Sequence, residues 1–183
     1  MGINVLSLFD GMSCGQIALN KCKVEYDNYF ASEIDKHAIK VSESNYPDII
    51  RLGDVTKIDA SKLPKIDILL GGTPCQGFSF AGKQLNFEDP RSKLFFEFVR
   101  LLKETNPRYF LLENVNMKKE YQDIITNELG VEPIKINSNL VSAHMRTRLY
   151  WTNIPNVKQP EDKKILLKDI IESGVVDRDK SYC

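Results

Sequence analysis

Ile66-Asp67-Ile68-Leu69-Leu70-Gly71-Gly72-Thr73-Pro74-Cys75-Gln76-Gly77-Phe78-Ser79 sets an apolar run against a Gly-Gly-Thr-Pro break, with a cysteine just beyond it. The run from Ile66 to Leu70 predicts a buried strand, and the glycines and proline predict its abrupt end. Open α/β sheets hold their ligands just past the carboxyl ends of their strands. Most lone cysteines are small buried hydrophobes. Such residues seldom occupy loops rich in Gly, Pro and Ser, so Cys75 reads as a nucleophilic thiol.

The rest of the chain supplies the sheet that this strand needs. Ile3 to Phe9 predicts a first strand and Cys14 to Lys21 a helix; Tyr29 to Ser32 and Lys36 to Ser44 repeat the pair. Ile49 to Leu52 is a third strand and Ile66 to Leu70 a fourth. Lys93 to Leu102 has helical periodicity, stopped by Asn106-Pro107. Tyr109 to Leu112 is a fifth strand, and Tyr121 to Leu129 a helix closed by Gly130. Val131 to Asn137 and Leu149 to Thr152 are later strands. This alternation predicts one doubly wound α/β domain, a mostly parallel sheet with helices on both faces. Pro155 to Pro160 reads as a linker, followed by a charged tail with one apolar run from Ile165 to Ile171.

Composition bounds the function. The 183 residues carry 25 basic and 25 acidic side chains, so no global positive field points to nucleic acid, although a local patch would not show in the sum. Cys14, Cys22, Cys75 and Cys183 form no CxxC pair and no zinc-type spacing, so no metal site is expected. Without a secretory signal they are expected to remain reduced. The apolar stretch from Met1 to Phe9 is too short to span a membrane. The expectation is a soluble intracellular chain with no membrane partner.

Phe9-Asp10-Gly11-Met12-Ser13-Cys14-Gly15 joins the first strand to the first helix. Its glycines let backbone approach a ligand, and the helix start offers free N–H groups. A lone motif of this kind is usually only a tight turn. Glu33 stands about twenty residues further on, where an acidic side chain accepts ribose hydroxyls. Asp54 ends the third strand in the same manner. Asp10, Glu33 and Asp54 together suit a nucleoside carrying positive charge or amino donors, and they repel a pyrophosphate; each alone would more often be a solvated acid or a helix cap. Glu113-Asn114-Val115 follows the fifth strand, where a carboxylate is either a helix cap or, on the same sheet edge as Cys75, an acid that holds and protonates a heterocyclic base. Arg146 and Arg148 alternate along what reads as extended backbone and so point the same way, which suits recognition of a carbonyl or a phosphate. Exposed arginines are usually just solvated.

Taken in order, these residues resemble the DNA (cytosine-5) methyltransferases, specifically their amino-terminal catalytic portion, over residues 3 to about 155. Phe9-Asp10-Gly11 with Gly15, Glu33, Asp54, Pro74-Cys75-Gln76 with Phe78-Ser79, Leu94-Phe95-Phe96, Glu113-Asn114-Val115 and Arg146-x-Arg148 resemble seven family motifs in sequence. His144 departs from the glutamine that many members carry there. The resemblance implies a Rossmann-like fold that binds S-adenosyl-L-methionine through Phe9, Asp10, Gly11, Gly15, Glu33, Asp54 and Leu94. It implies catalysis by Cys75, Glu113, Arg146 and Arg148, with Pro74, Gln76, Ser79 and Asn114 at the substrate base and its loop. The implied substrate is cytosine in double-stranded DNA, everted from the helix. A tRNA substrate is compatible with the same motifs.

Family members continue beyond the paired arginines into a target-recognition region and a final motif that returns to the sheet. Residues 1–157 therefore read as the catalytic domain and 158–183 as the lead-in to the missing region. An exposed apolar surface is expected where the final helix would pack, favouring a complementary subunit or a homodimer. The expected cell is prokaryotic or phage-infected. The other readings are a non-catalytic cofactor-binding module and a nicotinamide oxidoreductase, the latter weakened by the missing GxGxxG.

Overall fold

The computed structural model describes residues 2–74 and 90–171, with side chains in the second stretch from residue 93. Among these residues the chain runs β1 (Asn4–Leu8), α1 (Cys14–Lys21), β2 (Asn28–Ser32), α2 (Lys36–Asn45), β3 (Ile50–Arg51) and β4 (Ile68–Gly72). It continues with α3 (Pro90–Thr105), β5 (Tyr109–Val115), α4 (Lys119–Leu129), β6 (Ile134–Asn137) and β7 (Thr147–Thr152). Short 3-10 turns at Val55–Lys57 and Ala60–Lys62 fill the connection from β3 to β4. The sheet order is β3-β2-β1-β4-β5-β7-β6. The strands from β3 to β5 are parallel; β7 enters antiparallel between β5 and β6.

Alternation along the strands builds two cores. On one face Leu6, Leu8, Leu69, Phe110, Leu112, Leu149 and Trp151 pack with Phe95 and Phe98 of α3 and Ile125 of α4. On the other, Val5, Tyr29 and Ala31 pack with Ile49, and Leu19 of α1, Ile68 and Leu70 lie against them. The expected doubly wound architecture is therefore present. Register places Tyr109 and Leu111 of β5, Tyr150 of β7 and Ile134 and Ile136 of β6 on the α1 side of the sheet. They are only half-buried and join neither core.

Several element boundaries differ from expectation: β5 runs on through Glu113-Asn114-Val115, expected after it, β6 starts at Ile134, β7 at Thr147, and α3 extends to Pro90–Thr105. β4 begins at Ile68 and runs through both glycines instead of breaking before them. Gly71 pairs with Leu112 and Gly72 with Glu113. A Cβ on Gly71 would lie 2.6 Å from the Phe98 ring, so that glycine serves close packing. β1 stops at Leu8 because Phe9 turns to φ 57, and β3 shrinks to two residues at the sheet edge. Gly130 closes α4 at φ 69, as the left-handed position there requires.

Candidate functional site

The strand ends meet along one edge of the sheet. A cavity of about 260 Å³ opens there between Phe9, Ser32, Glu33, Ile34, Asp54, Val55, Gly72, Pro74 and Leu94. Five of the residues singled out in the sequence thus share one wall or rim: Phe9, Glu33, Asp54, Pro74 and Leu94. Ser32, Ile34, Val55 and Gly72 were not anticipated. They lie beside the motif residues, and their only sequence signal is that adjacency.

Glu33 is fixed by its own backbone surroundings. Its Oε2 accepts the Gly11 N–H at 2.8 Å, and its Oε1 accepts those of Ile34 and Asp35 at 2.8 and 2.9 Å. A carboxylate offers about four lone-pair sites, so acceptor capacity remains for a ligand hydroxyl. Gly11 makes this possible at φ 58, a left-handed conformation that favours glycine. Asp54 caps the turn at Val55–Lys57, accepting the Thr56 N–H at 3.0 Å and its hydroxyl at 2.9 Å. Those two bonds hold its carboxyl below the ordinary 3.8.

Asp10 faces inward. Its side chain is buried, one oxygen accepting the Ser13 hydroxyl and the other the Tyr29 hydroxyl at 2.7 Å. Burial first, then the Asp10 charge, push the Tyr29 phenol well above its ordinary 10.0. Gly15 also faces the sheet: a Cβ there would stand 2.8 Å from Leu70 and 2.9 Å from the Tyr29 hydroxyl. Neither residue lines the cavity. Asp10 instead closes the turn that brings Gly11 to Glu33.

Glu113 lies beside Gly72 across the β4–β5 pair. Its Oε1 meets Nε of Arg148 at 2.7 Å, both side chains being partly exposed. Its Oε2 lies toward Gly72, 3.5 Å from where a Cβ on that glycine would stand, an ordinary van der Waals distance. Asn114 is 1% exposed and donates from Nδ2 to the Thr73 hydroxyl at 2.9 Å. That bond locks the end of β4 immediately before Pro74; Thr73 was not singled out in the sequence. Tyr150 faces Glu113 in register, and burial, then the Glu113 charge, raise its pKa above 10.0.

The two arginines separate. Arg148 lies within β7, whereas Arg146 stands one residue before it, exposed, its N–H bonded to Asn137 Oδ1 at 3.1 Å. The Arg146 carbonyl still accepts the Ser138 N–H at 3.1 Å, next to the Asn137–Thr147 pair that ends the β6–β7 ladder. Cys75, Gln76 and Ser79 lie outside the described residues. The structure brings the strand that carries Cys75 to the edge holding Glu113 as far as Pro74. No group of His, Cys, Asp and Glu among the described residues could hold a metal ion.

Seven strands in this order, with β7 inserted antiparallel and a strand-end cavity beside Glu33, define a Rossmann-like methyltransferase fold. A crystal structure of a DNA modification methyltransferase encoded within an Escherichia coli prophage superposes with a TM-score of 0.65 at 31% identity, over 82% of this chain and 46% of that one. The chain belongs to the C-5 cytosine-specific DNA methylase family, which it matches over residues 3–132. It is 49% identical to the orphan methyltransferase M.Rho11sI of Bacillus phage rho11s over 115 residues, 62% of this chain and 23% of that protein. It is 30% identical to the type II methyltransferase M.HhaI of Haemophilus parahaemolyticus over 97% of this chain and 61% of that protein. The chain thus spans between 23% and 61% of the length of these two relatives.

Proposed function

We propose that this chain is the catalytic portion of an enzyme that methylates carbon 5 of cytosine in double-stranded DNA. One observation carries the reading: the Glu113 carboxylate, held by Arg148, stands across from Gly72, which lines a nucleoside-sized cavity. The cavity suits S-adenosylmethionine. Apolar Phe9, Ile34, Val55 and Leu94 offer faces for a base, Glu33 an acceptor for ribose and Asp54 an acceptor for an exocyclic amine. When bound, that cofactor supplies an electrophilic methyl group.

Cytosine carbon 5 is a poor nucleophile, and the Cys75 thiolate corrects this by bonding to carbon 6. Glu113 hydrogen-bonds the ring nitrogen and exocyclic amine and stabilises the charge that develops during addition. Arg148 contacts the base carbonyl, with Arg146 beside it; Asn114 keeps Thr73 and Pro74 in place. Carbon 5 takes up the methyl group and loses its proton to a base. The Cys75–carbon 6 bond then breaks, restoring the aromatic ring. A base within a duplex cannot reach this edge, so the target is everted at a cost of a few kcal/mol.

Residues 1–157 serve as the catalytic unit and 158–171 lead away from it. A complementary subunit or a second copy would pack on the α1 side of β5, β7 and β6, where Leu111, Ile134, Ile136 and Tyr150 are only half-buried among the described residues. The cavity alone also suits a second reading, a module that binds cofactor without turnover. Radiolabelled S-adenosylmethionine and mixed-sequence DNA separate the two. Label in cytosine that disappears in Cys75→Ser supports the enzyme; cofactor binding with no transfer under any condition supports the module. Among the described residues no helix is long and apolar enough to cross a membrane.

A further inference from the structure

Arg100 lies on α3 and is not among the residues that line the cavity, yet every donor of its guanidinium is used. Nε and Nη2 contact Glu97 Oε2 at 2.9 and 2.7 Å, and Nη1 contacts Glu104 Oε2 at 2.7 Å. The remaining two N–H groups leave the helix altogether. Nη1 donates to the Ile58 carbonyl at 3.2 Å and Nη2 to the Val55 carbonyl at 3.3 Å. Five N–H donors therefore meet four acceptor atoms, Glu97 Oε2 taking two of them, which uses the full donor capacity of an arginine fork. Burial opposes the charge, but the two glutamates outweigh it and the pKa is raised.

The carbonyls it grips are those of the first residue of the turn at Val55–Lys57 and of Ile58 just after it; Asp54 caps that turn and Val55 forms part of the cavity wall. That connection has no α-helix or long strand to stiffen it. Val55 and Ile58 are buried in the main core, so the turn is held from below by packing and from the side by Arg100. Leu94 of the same helix also lines the cavity. A single helix thus contributes to the cavity lining and clamps the turn that carries Val55.

We propose that Arg100 is a positioning residue that sets the place of the Asp54 carboxylate and thereby the cavity's preference for an amino-bearing base. The inference rests on the proposed adenosine reading of the cavity. Lysine keeps the charge but has three donors on a flexible stem, so it cannot satisfy two carboxylates and two carbonyls in one plane.

The test compares binding of S-adenosylhomocysteine with that of its inosine counterpart, which replaces the exocyclic amine by a carbonyl, by titration calorimetry on the full chain. Asp54→Ala, Arg100→Lys and Glu97→Gln are measured alongside the parent, with thermal midpoints recorded. Arg100→Lys is expected to weaken S-adenosylhomocysteine about tenfold, the effect of one charged hydrogen bond. The inosine ligand is expected to change little, so the preference falls toward that of Asp54→Ala. Glu97→Gln, which loosens the fork at less cost to folding, shifts the preference in the same direction and decides the matter if Arg100→Lys does not fold. A merely structural arginine would lower the thermal midpoint and leave the preference intact, overturning the proposal. Asp54→Ala without effect on the preference would overturn the adenosine reading, and this inference with it.

Discussion

Glu113 meets Arg148 at 2.7 Å through one oxygen and keeps the other toward Gly72, so it is oriented before any base arrives. Such preorganisation is worth most when charge develops in the reaction. Glu113→Gln is therefore expected to slow methyl transfer by about two to three orders of magnitude, with cofactor affinity unchanged by calorimetry. Asp10 illustrates the opposite case. Its buried carboxylate accepts from Tyr29 and Ser13 and holds the turn beneath Glu33. Tyr29→Phe removes one donor to a buried charge and is expected to cost about 1.5–3 kcal/mol in denaturant unfolding. The Tyr29 pKa is raised in the fold, so this contribution is complete below pH 10.0 and declines as pH rises past the ordinary value; Tyr29→Phe flattens that alkaline loss. The spacing of acids after strands was visible in the sequence, but which of them faces a ligand was not. Asp10 and Glu33 both follow strands, and only the left-handed turn at Phe9 and Gly11 decides that one turns inward.

Between elements, the decisive contacts are made by residues with little or no side chain. β4 runs on through Gly71 and Gly72 because Phe98 occupies the space that a larger residue would take. Gly71→Ala is expected to cost about 1–3 kcal/mol by overpacking. Gly11→Ala, at positive φ with nothing within 4 Å, is expected to cost about 1–2 kcal/mol by backbone strain alone. Thermal melts of the two variants test this ordering. The alternation of apolar runs with helical stretches made the parallel sheet legible, since strands buried on both faces must be continuously apolar. The end of β4 was misplaced because glycine reads locally as a break, while its use here depends on a helix beginning at Pro90. The bond from Asn114 to Thr73 was equally hidden, joining residues 41 positions apart.

For the whole molecule, two cores flank the sheet, but the α1 side of β5, β7 and β6 keeps Leu111, Ile134, Ile136 and Tyr150 half-buried. Beyond β7 the chain is tied back by Gln159 to the Lys135 carbonyl and by the Lys163 N–H to Leu140, while Leu166, Leu167, Ile170 and Ile171 stay more than half exposed. Ending the chain after Val157 is therefore expected to lower the thermal midpoint by only a few degrees, about the effect of one or two hydrogen bonds, and to preserve binding of S-adenosylhomocysteine. Sedimentation velocity on the full chain tests this half-buried face: a concentration-dependent dimer would replace the complementary subunit by a second copy. The central claim is that Cys75 and Glu113 converge on an everted cytosine beside the cofactor cavity. Replacing carbon 5 hydrogen by fluorine leaves no proton to lose, so the cysteine bond cannot be undone after methyl transfer. Intact mass spectrometry of the chain incubated with S-adenosylmethionine and an oligonucleotide carrying 5-fluorocytosine at every cytosine, opposite mismatches, reads the adduct directly. The account predicts one methylated DNA adduct on Cys75, absent in Cys75→Ser and slowed in Glu113→Gln. An adduct that survives Cys75→Ser, or none from a folded chain that binds cofactor, would contradict it.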